Sequence, residues 1–494
     1  MKTVSRALLV FGALALTAIT TLSLTSCAYP VRNQPIATLA PNQGYRWANL
    51  PAGRLGDTLV FVTASGGGTR AAALELSVLE GLQQIKLPSG DSLADNIDVL
   101  SSVSGGSVTA AYFALKGTEG FPELETNFIR KDGVSAILLA GLNPVGLAKL
   151  STPKYERIDL LIDYLDKALF HHQTFSDLLA LHRRPYLVLN AADMVDGVPF
   201  AETQENFDLL CSDLASLKLS TAVAASAAFP VALSPVTYKD YSPCLAQAKV
   251  PWPPPWVTAD AGSSWYDAPE RTDRGRVKTA YALGARAAPP TLDVHLLDGG
   301  IADNLGVAEP FRMLTTNEPQ PAFLNSVAQG HIKKIVFILI NARSFASSTL
   351  DQSPAPPGML DMLFASIDAG VDRTTFGTAA RLRTALTEQF TADAANLRKI
   401  RQGAMADNLD AIRNNTHLIE IDFDAIANSA CRRNFHNIPT SWTAQAKQID
   451  ALMLLGKALL AQSPEFPLAL NAIKGHVAGS LPNVTDACAI VPPS

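Results

Sequence analysis

Six stretches of the chain are short runs of apolar and β-branched residues, the pattern of buried strands. They are Thr58–Ala64, Ile97–Val103, Pro185–Asn190, Leu292–Leu297, Lys334–Ile340 and His417–Phe423. Helical patterns fall between most of them, the plainest at Arg70–Leu82, Val108–Leu115, Arg381–Leu409 and Ala444–Ala461. Strands that alternate with helices predict an α/β fold with a largely parallel central sheet covered on both faces. Two stretches break the rhythm. Residues 236–290 carry few strand signals and contain Pro251-Trp252-Pro253-Pro254-Pro255-Trp256; they read as an insertion, with the aromatic-proline segment a stiff surface cap. Residues 346–362 are rich in Ser, Pro, Asp and Gly and read as a linker. Beyond it, residues 346–494 form a mainly helical C-terminal extension, and the pattern leaves open whether it caps the sheet or stands as a subdomain.

The N-terminus differs from the rest. Lys2 and Arg6 precede an apolar run from Ala7 to Ala18 that resumes at Leu22 and Leu24. This is the layout of an export signal, and Leu24-Thr25-Ser26-Cys27 resembles the bacterial lipobox. That resemblance implies cleavage after residue 26 and a lipid on Cys27, hence an exported lipoprotein held at a membrane. Ala28 after the cysteine resembles outer-membrane sorting. The competing reading is an uncleaved membrane helix, for which the apolar stretch is just long enough. Residues 27–54, rich in Pro, Asn and Gly, then read as a tether between lipid and domain.

Composition narrows the function. The 494 residues are 48% hydrophobic and only 17% charged, enough for a sizeable core. A formal charge of −5 excludes a nucleic-acid binder, which needs a basic face. Export would place Cys211, Cys244, Cys431 and Cys488 in an oxidising compartment, and the shorter loops favour Cys211–Cys244 and Cys431–Cys488 as disulfides. No CxxC pair is present and the eight histidines are scattered, so no metal or cofactor site is expected.

Three motifs carry chemistry. Ser102-Val103-Ser104-Gly105-Gly106 lies between a predicted strand and a predicted helix. That is the setting of a nucleophile elbow, in which a sharp turn lifts a serine hydroxyl clear of the sheet; an ordinary turn with a helix-capping serine has the same local signature. Ser65-Gly66-Gly67-Gly68-Thr69-Arg70 follows the first strand. Its bare amides at Gly66, Gly67 and Gly68, together with that of Gly105, suit an oxyanion hole, and Arg70 is placed to hold the loop or meet a substrate phosphate. Gly66-x-Gly68-x-x-Ala71 also fits a dinucleotide fingerprint, but Asp91 and Asp95 lie before the second strand rather than at its end. Leu297-Asp298-Gly299-Gly300 puts Asp298 at the end of an apolar strand, at the sheet edge where open α/β folds bind ligands. Between these motifs, the small residues Ala222–Pro230 read as a tightly packed core helix.

Taken together, the glycine loop with Arg70, the Ser104 elbow and Asp298-Gly299-Gly300 resemble, in that order, the patatin-like phospholipase family. Its D-G-G-x-x-x-N extension is matched through Asn304, and the Ser-Gly-Gly-Ser variant also looks like the related cytosolic phospholipases. The resemblance covers residues 55–345 and implies a three-layer α/β/α core and a Ser104–Asp298 dyad without histidine. It further implies a lipid acyl hydrolase that needs no cofactor and acts on membrane lipid or another lipid ester. Ser102 and Ala71 depart from the family's glycines. They favour one alternative, a non-catalytic lipid-binding or scaffolding lipoprotein that keeps the fold; a separate alternative keeps the enzyme but adds a histidine, as a Ser-His-Asp esterase. His295 sits three residues before Asp298 and should face the other side of that strand.

Overall fold

The computed structural model describes residues 29–36, 39–40, 42–241, 293–315, 323–344, 354, 356–384, 386, 388 and 390–493. The export segment, Cys27, Cys244, the Trp252–Trp256 loop and most of the 236–290 insertion lie outside them.

The central sheet has eight strands. In chain order they are β1 (Thr58–Ala64), β2 (Val99–Val103), β3 (Tyr186–Asp193), β4 (Pro199–Ala201), β5 (Val236–Lys239), β6 (Asp293–Asp298), β7 (Lys334–Asn341) and β8 (Thr416–Asp422). Across the sheet they run β8-β7-β1-β2-β3-β6-β5, with β4 pairing on β3. From β8 to β3 every pair is parallel. Every residue of β1, β2 and β3 is buried, which is why these strands read as continuous apolar runs: helices cover both faces. The main helices are α1 (Gly68–Gln84), α2 (Gly105–Lys116), α3 (Gly133–Leu142), α4 (Pro144–Leu150), α5 (Leu219–Ser226), α6 (Met359–Thr384) and α7 (Ala446–Gln462). This is the three-layer α/β/α class.

Two regions differ from what composition implied. The described part of residues 27–54 is not a free tether. Tyr45 is 1% exposed and stacks on Tyr186 at 5.3 Å, and Arg46 is ion-paired to Glu205 and Asp208. A few aromatic and charged residues anchor a segment whose Pro, Asn and Gly content alone predicted flexibility. The C-terminal part is helix-rich, but it also completes the sheet: β8 adds parallel to β7 in register from Ile335↔Thr416 to Asn341↔Asp422, and α7 packs on α1. The helices there are shorter and more numerous than one run over 381–409 implied. α6 begins at Met359, inside the expected linker, and breaks at Thr384; further helices follow at Phe390–Lys399 and Gly403–Arg413. Cys431 and Cys488 form the expected disulfide across 57 residues. Cys211 is also disulfide-bonded.

Candidate active site

In register, Ile340 of β7 lies beside Ala64 of β1, and Ala64 beside Ser102 of β2. The carboxyl ends of three parallel strands therefore open onto one edge, and each feeds a different wall of the same site. β1 runs into Gly66-Gly67-Gly68, β2 into Ser104, and β7 into Ala342 and Arg343.

Ser104 holds φ +52° and ψ −118°, a left-handed conformation that is rare outside glycine. The turn is enforced by what surrounds it. A Cβ on Gly105 would come within 2.1 Å of the Gly68 carbonyl oxygen, so α2 can start there only without a side chain. The Ser104 N–H donates to Ser226 Oγ at 2.9 Å, and Ser226 Oγ donates to the Asn190 carbonyl at 2.6 Å. Ser102, where the family has glycine, lies in the extended strand and donates its hydroxyl to Ser107 Oγ at 3.2 Å. The positive φ thus falls on Ser104, so Ser102 carries no strain from the substitution. Ala71, the other departure, is buried in α1.

The Ser104 hydroxyl donates to Asp298 Oδ2 at 2.7 Å, and the Gly300 N–H donates to Asp298 Oδ1 at 2.8 Å. Asp298 reaches this position by an unexpected route. β6 runs antiparallel to β3, with Ala191 opposite Asp298, so the aspartate enters against the direction of the parallel strands. β3 extends past the Ser104 turn and gives β6 a surface on which to pair. Burial pushes the Asp298 carboxyl up to about 6, against the pull of the Ser104 hydroxyl and the Gly300 N–H.

The glycine loop divides its amides. The Gly66 N–H is taken by Asn304, through both the carbonyl and Oδ1 at 3.2 Å, so it already has its acceptors. This corrects the expectation that Gly66 serves as an oxyanion donor. Gly67 and Gly68 line the cavity and Gly105 follows Ser104 at the start of α2; among the described residues the N–H groups of these three make no hydrogen bond. Gly68 has φ +58°, and a Cβ there would strike the Ser441 carbonyl oxygen at 2.2 Å. Arg70 is fully buried. Its Nε donates to the Ala342 carbonyl at 2.8 Å, one terminal nitrogen to Thr440 Oγ1 at 3.0 Å, and the other to the Ile438 carbonyl. Burial lowers its guanidinium to about 10, opposed by Asp368. Arg70 thus ties the glycine loop to the C-terminal part.

Ser104, Asp298 and Gly66–Gly68 line one cavity of about 680 Å³. Sequence reasoning missed much of its far wall: Asp368 and Val371 on α6, and His436 to Trp442. It also missed Ser226, which sits within the small-residue run; α5 is both a packed core helix and the support behind the nucleophile turn. Neither histidine near the site completes a triad. His295 Nδ1 meets Thr237 Oγ1 at 2.9 Å on the other face of β6. His436 lines the cavity, but its Nδ1 faces the Arg343 carbonyl at 3.1 Å and its Nε2 faces Asp424 Oδ1 at 3.0 Å. The dinucleotide reading also fails on geometry, because β2 ends at Val103 and Ser104 with no acid there. Among the described residues, no cluster of three or more His, Cys, Asp or Glu could hold a metal ion.

No curated protein matches the chain. Among solved structures, human GIVD cytosolic phospholipase A2 is similar at 14% identity, over 57% of this chain and 42% of its own, with a TM-score of 0.32. The chain therefore spans less than half of that protein. A family model for patatin-like phospholipase matches residues 62–311, half of the chain, from within β1 to past the Asp298 turn. The chain belongs to the patatin-like phospholipase family.

Proposed function

We propose that the protein is a lipid acyl hydrolase with Ser104 as nucleophile and Asp298 as its sole base. The observation that carries this reading is the 2.7 Å hydrogen bond from the Ser104 hydroxyl to a buried carboxylate raised to about 6. An ordinary aspartate is a poor base for an alcohol; burial makes this one stronger while leaving it ionised at neutral pH.

Asp298 Oδ2 takes the hydroxyl proton as Ser104 Oγ attacks the ester carbonyl. The oxyanion that forms is met by the amides of Gly67, Gly68 and Gly105, fixed before the reaction begins and therefore effective at no reorganisation cost. Collapse breaks the ester bond, and Asp298 returns its proton to the departing alkoxide. The acyl group is left on Ser104. Water then repeats the sequence, with Asp298 accepting its proton, and the fatty acid leaves. Arg70 acts by holding the loop, since each of its three nitrogens already donates to a protein oxygen.

Family membership and the aliphatic residues of the cavity, Val134, Ile301 and Val371 among them, support a phospholipid or lysophospholipid substrate. The test is turnover by purified protein on a panel of phospholipids and neutral esters, with Ser104→Ala as control. Release of fatty acid by the parent and none by the variant is expected. A folded parent that hydrolyses nothing would favour a lipid-binding module instead.

The proposal includes a membrane anchor on Cys27. Mass spectrometry should find an N-terminal lipid on Cys27 in wild type and none in Cys27→Ser; an unmodified Cys27 in a chain that still carries residues 1–26 would mean an uncleaved N-terminal helix.

A further inference from the structure

Among the described residues, the largest cluster of exposed apolar side chains lies on α3 and α4. Leu138, Leu139, Leu142, Val145 and Leu147 are each 53% to 69% exposed. Soluble surfaces rarely leave so many large aliphatic groups in adjacent positions without a use. The two helices together are apolar enough for a membrane, but they bend by 77° at their junction. α3 alone is only about 15 Å long, half the hydrocarbon thickness of a bilayer. The pair is built to lie in a surface, not to cross one.

Three observations identify the occupant. The first is continuity with the cavity. Val134, in the first turn of α3, lines the Ser104 cavity, and the Gly133 N–H donates to the carbonyl of Trp442, which lines it too. The apolar face therefore begins at the wall of the site. The second is composition. α3 and α4 contain no aromatic residue and only one charge, Lys149. Protein interfaces concentrate Tyr, Trp, Phe, Met and Arg at their centres; this face is plain aliphatic. The third is charge. A groove of about 830 Å³ beside the pair is lined by Lys131, Lys149 and Lys167, all exposed, against Asp132 and Asp163; Lys149 pairs with Asp163 at 3.6 Å. An aliphatic crest beside an excess of lysines matches the acyl and phosphate layers of a phospholipid surface.

We infer that α3 and α4 form an interfacial docking surface that seats the protein on a phospholipid bilayer, with the cavity wall at Val134 and Trp442 turned to the lipid. This inference rests on the lipid-hydrolase reading above and adds how the substrate is reached. It is independent of Cys27: an anchor sets the compartment, whereas this surface sets the orientation of the site.

The test uses the mature chain from residue 28, which lacks both the N-terminal apolar run and the acylated cysteine, with and without Leu139→Glu/Leu142→Glu. Both leucines are about two-thirds exposed, so the fold should not depend on them. Flotation with vesicles of phosphatidylcholine and phosphatidylglycerol in equal parts should fall about tenfold or more in the double variant. Hydrolysis of vesicle lipid should fall with it, while hydrolysis of a monomeric, water-soluble short-chain ester should stay within about twofold of the parent. A Ser104→Ala protein should float like the parent and hydrolyse neither substrate. Failure of the hydrolase reading would thus appear as absent hydrolysis with intact flotation. Undiminished flotation of the leucine variant would overturn the docking surface. So would loss of an oligomer in sedimentation with flotation unchanged, which would make the face a contact between two copies of the chain.

Discussion

The two sides of the active-site cavity are built by different means. The motif side, from β1, β2, β6 and α5, places its functional side chains in buried positions and is hydrogen-bonded atom by atom: Ser104 to Asp298, Ser104 to Ser226, Gly66 to Asn304. Each motif lies within a few residues of a strand end, so the strand itself positions it. The C-terminal side, from α6 and residues 436–442, contributes no group to the proton transfer. It shapes the space and is held to the motif side by Arg70, whose partner Ile438 is 368 residues away, and by hydrogen bonds from Thr69 to Ser441 and from Asn304 to Thr375. The contrast separates chemistry from selectivity. Changes on the motif side should appear in kcat; changes on the C-terminal side should appear in KM and in substrate preference.

The largest expected effect is Ser104→Ala, which removes the nucleophile and should lower kcat by about 10⁵-fold or more without unfolding the protein. Circular dichroism alongside turnover checks this. Asp298→Asn should cost about 10⁴-fold, because the amide cannot take the hydroxyl proton. The same change should stabilise the fold. The folded-state value of about 6 lies above the ordinary 3.8, so the native state binds the extra proton between those values. On this group's account, stability is fully present below about pH 4 and is lost as pH rises through about 6. At pH 7 the buried carboxylate costs at most roughly 3 kcal/mol, which Asp298→Asn would recover as a higher Tm. Activity runs the other way: kcat/KM should fall about tenfold per pH unit below about 6, because the base must be ionised.

Arg70→Ala probes the link between the two sides. It leaves the Ala342 and Ile438 carbonyls buried without donors, at about 3 kcal/mol or more in stability, readable by denaturant titration. It should impair kcat and KM together, because loop and wall lose register with each other. Ser226→Ala leaves the Ser104 N–H without its acceptor and should lower kcat about tenfold with KM little changed. The smallest effect is expected from Trp442→Ala, on the far wall. It should change KM and chain-length preference a few-fold with kcat preserved on short esters. A kcat loss from Trp442→Ala as large as that from Ser226→Ala would erase the distinction between the two sides.

The same contrast governs what the sequence disclosed. β1 was legible to the residue because seven consecutive buried positions leave one reading. Ser104 and Asp298 were legible because strand-end motifs carry their setting with them. The direction of β6 was not, since antiparallel pairing is decided by which neighbour offers a free edge, and β3 offers it only by extending past Ser104. Gly66 was assigned an amide function that Asn304 occupies, a contact across 238 residues that no local pattern reports. Residues 436–442 carry no periodicity and take their place in the cavity wall through tertiary contacts alone. The described part of 27–54 misled by composition, because a handful of anchoring side chains outweighs many flexible ones.

The account depends on a proton passing from the residue-104 hydroxyl to the residue-298 carboxylate. Its most direct test is the pH dependence of covalent labelling by a fluorophosphonate, located by mass spectrometry, in wild type and in Asp298→Asn. The account predicts a single adduct on Ser104, with a rate that climbs through about pH 6 in wild type and is nearly abolished in Asp298→Asn. An adduct on another residue, or labelling of Ser104 that is indifferent to Asp298→Asn, would contradict it.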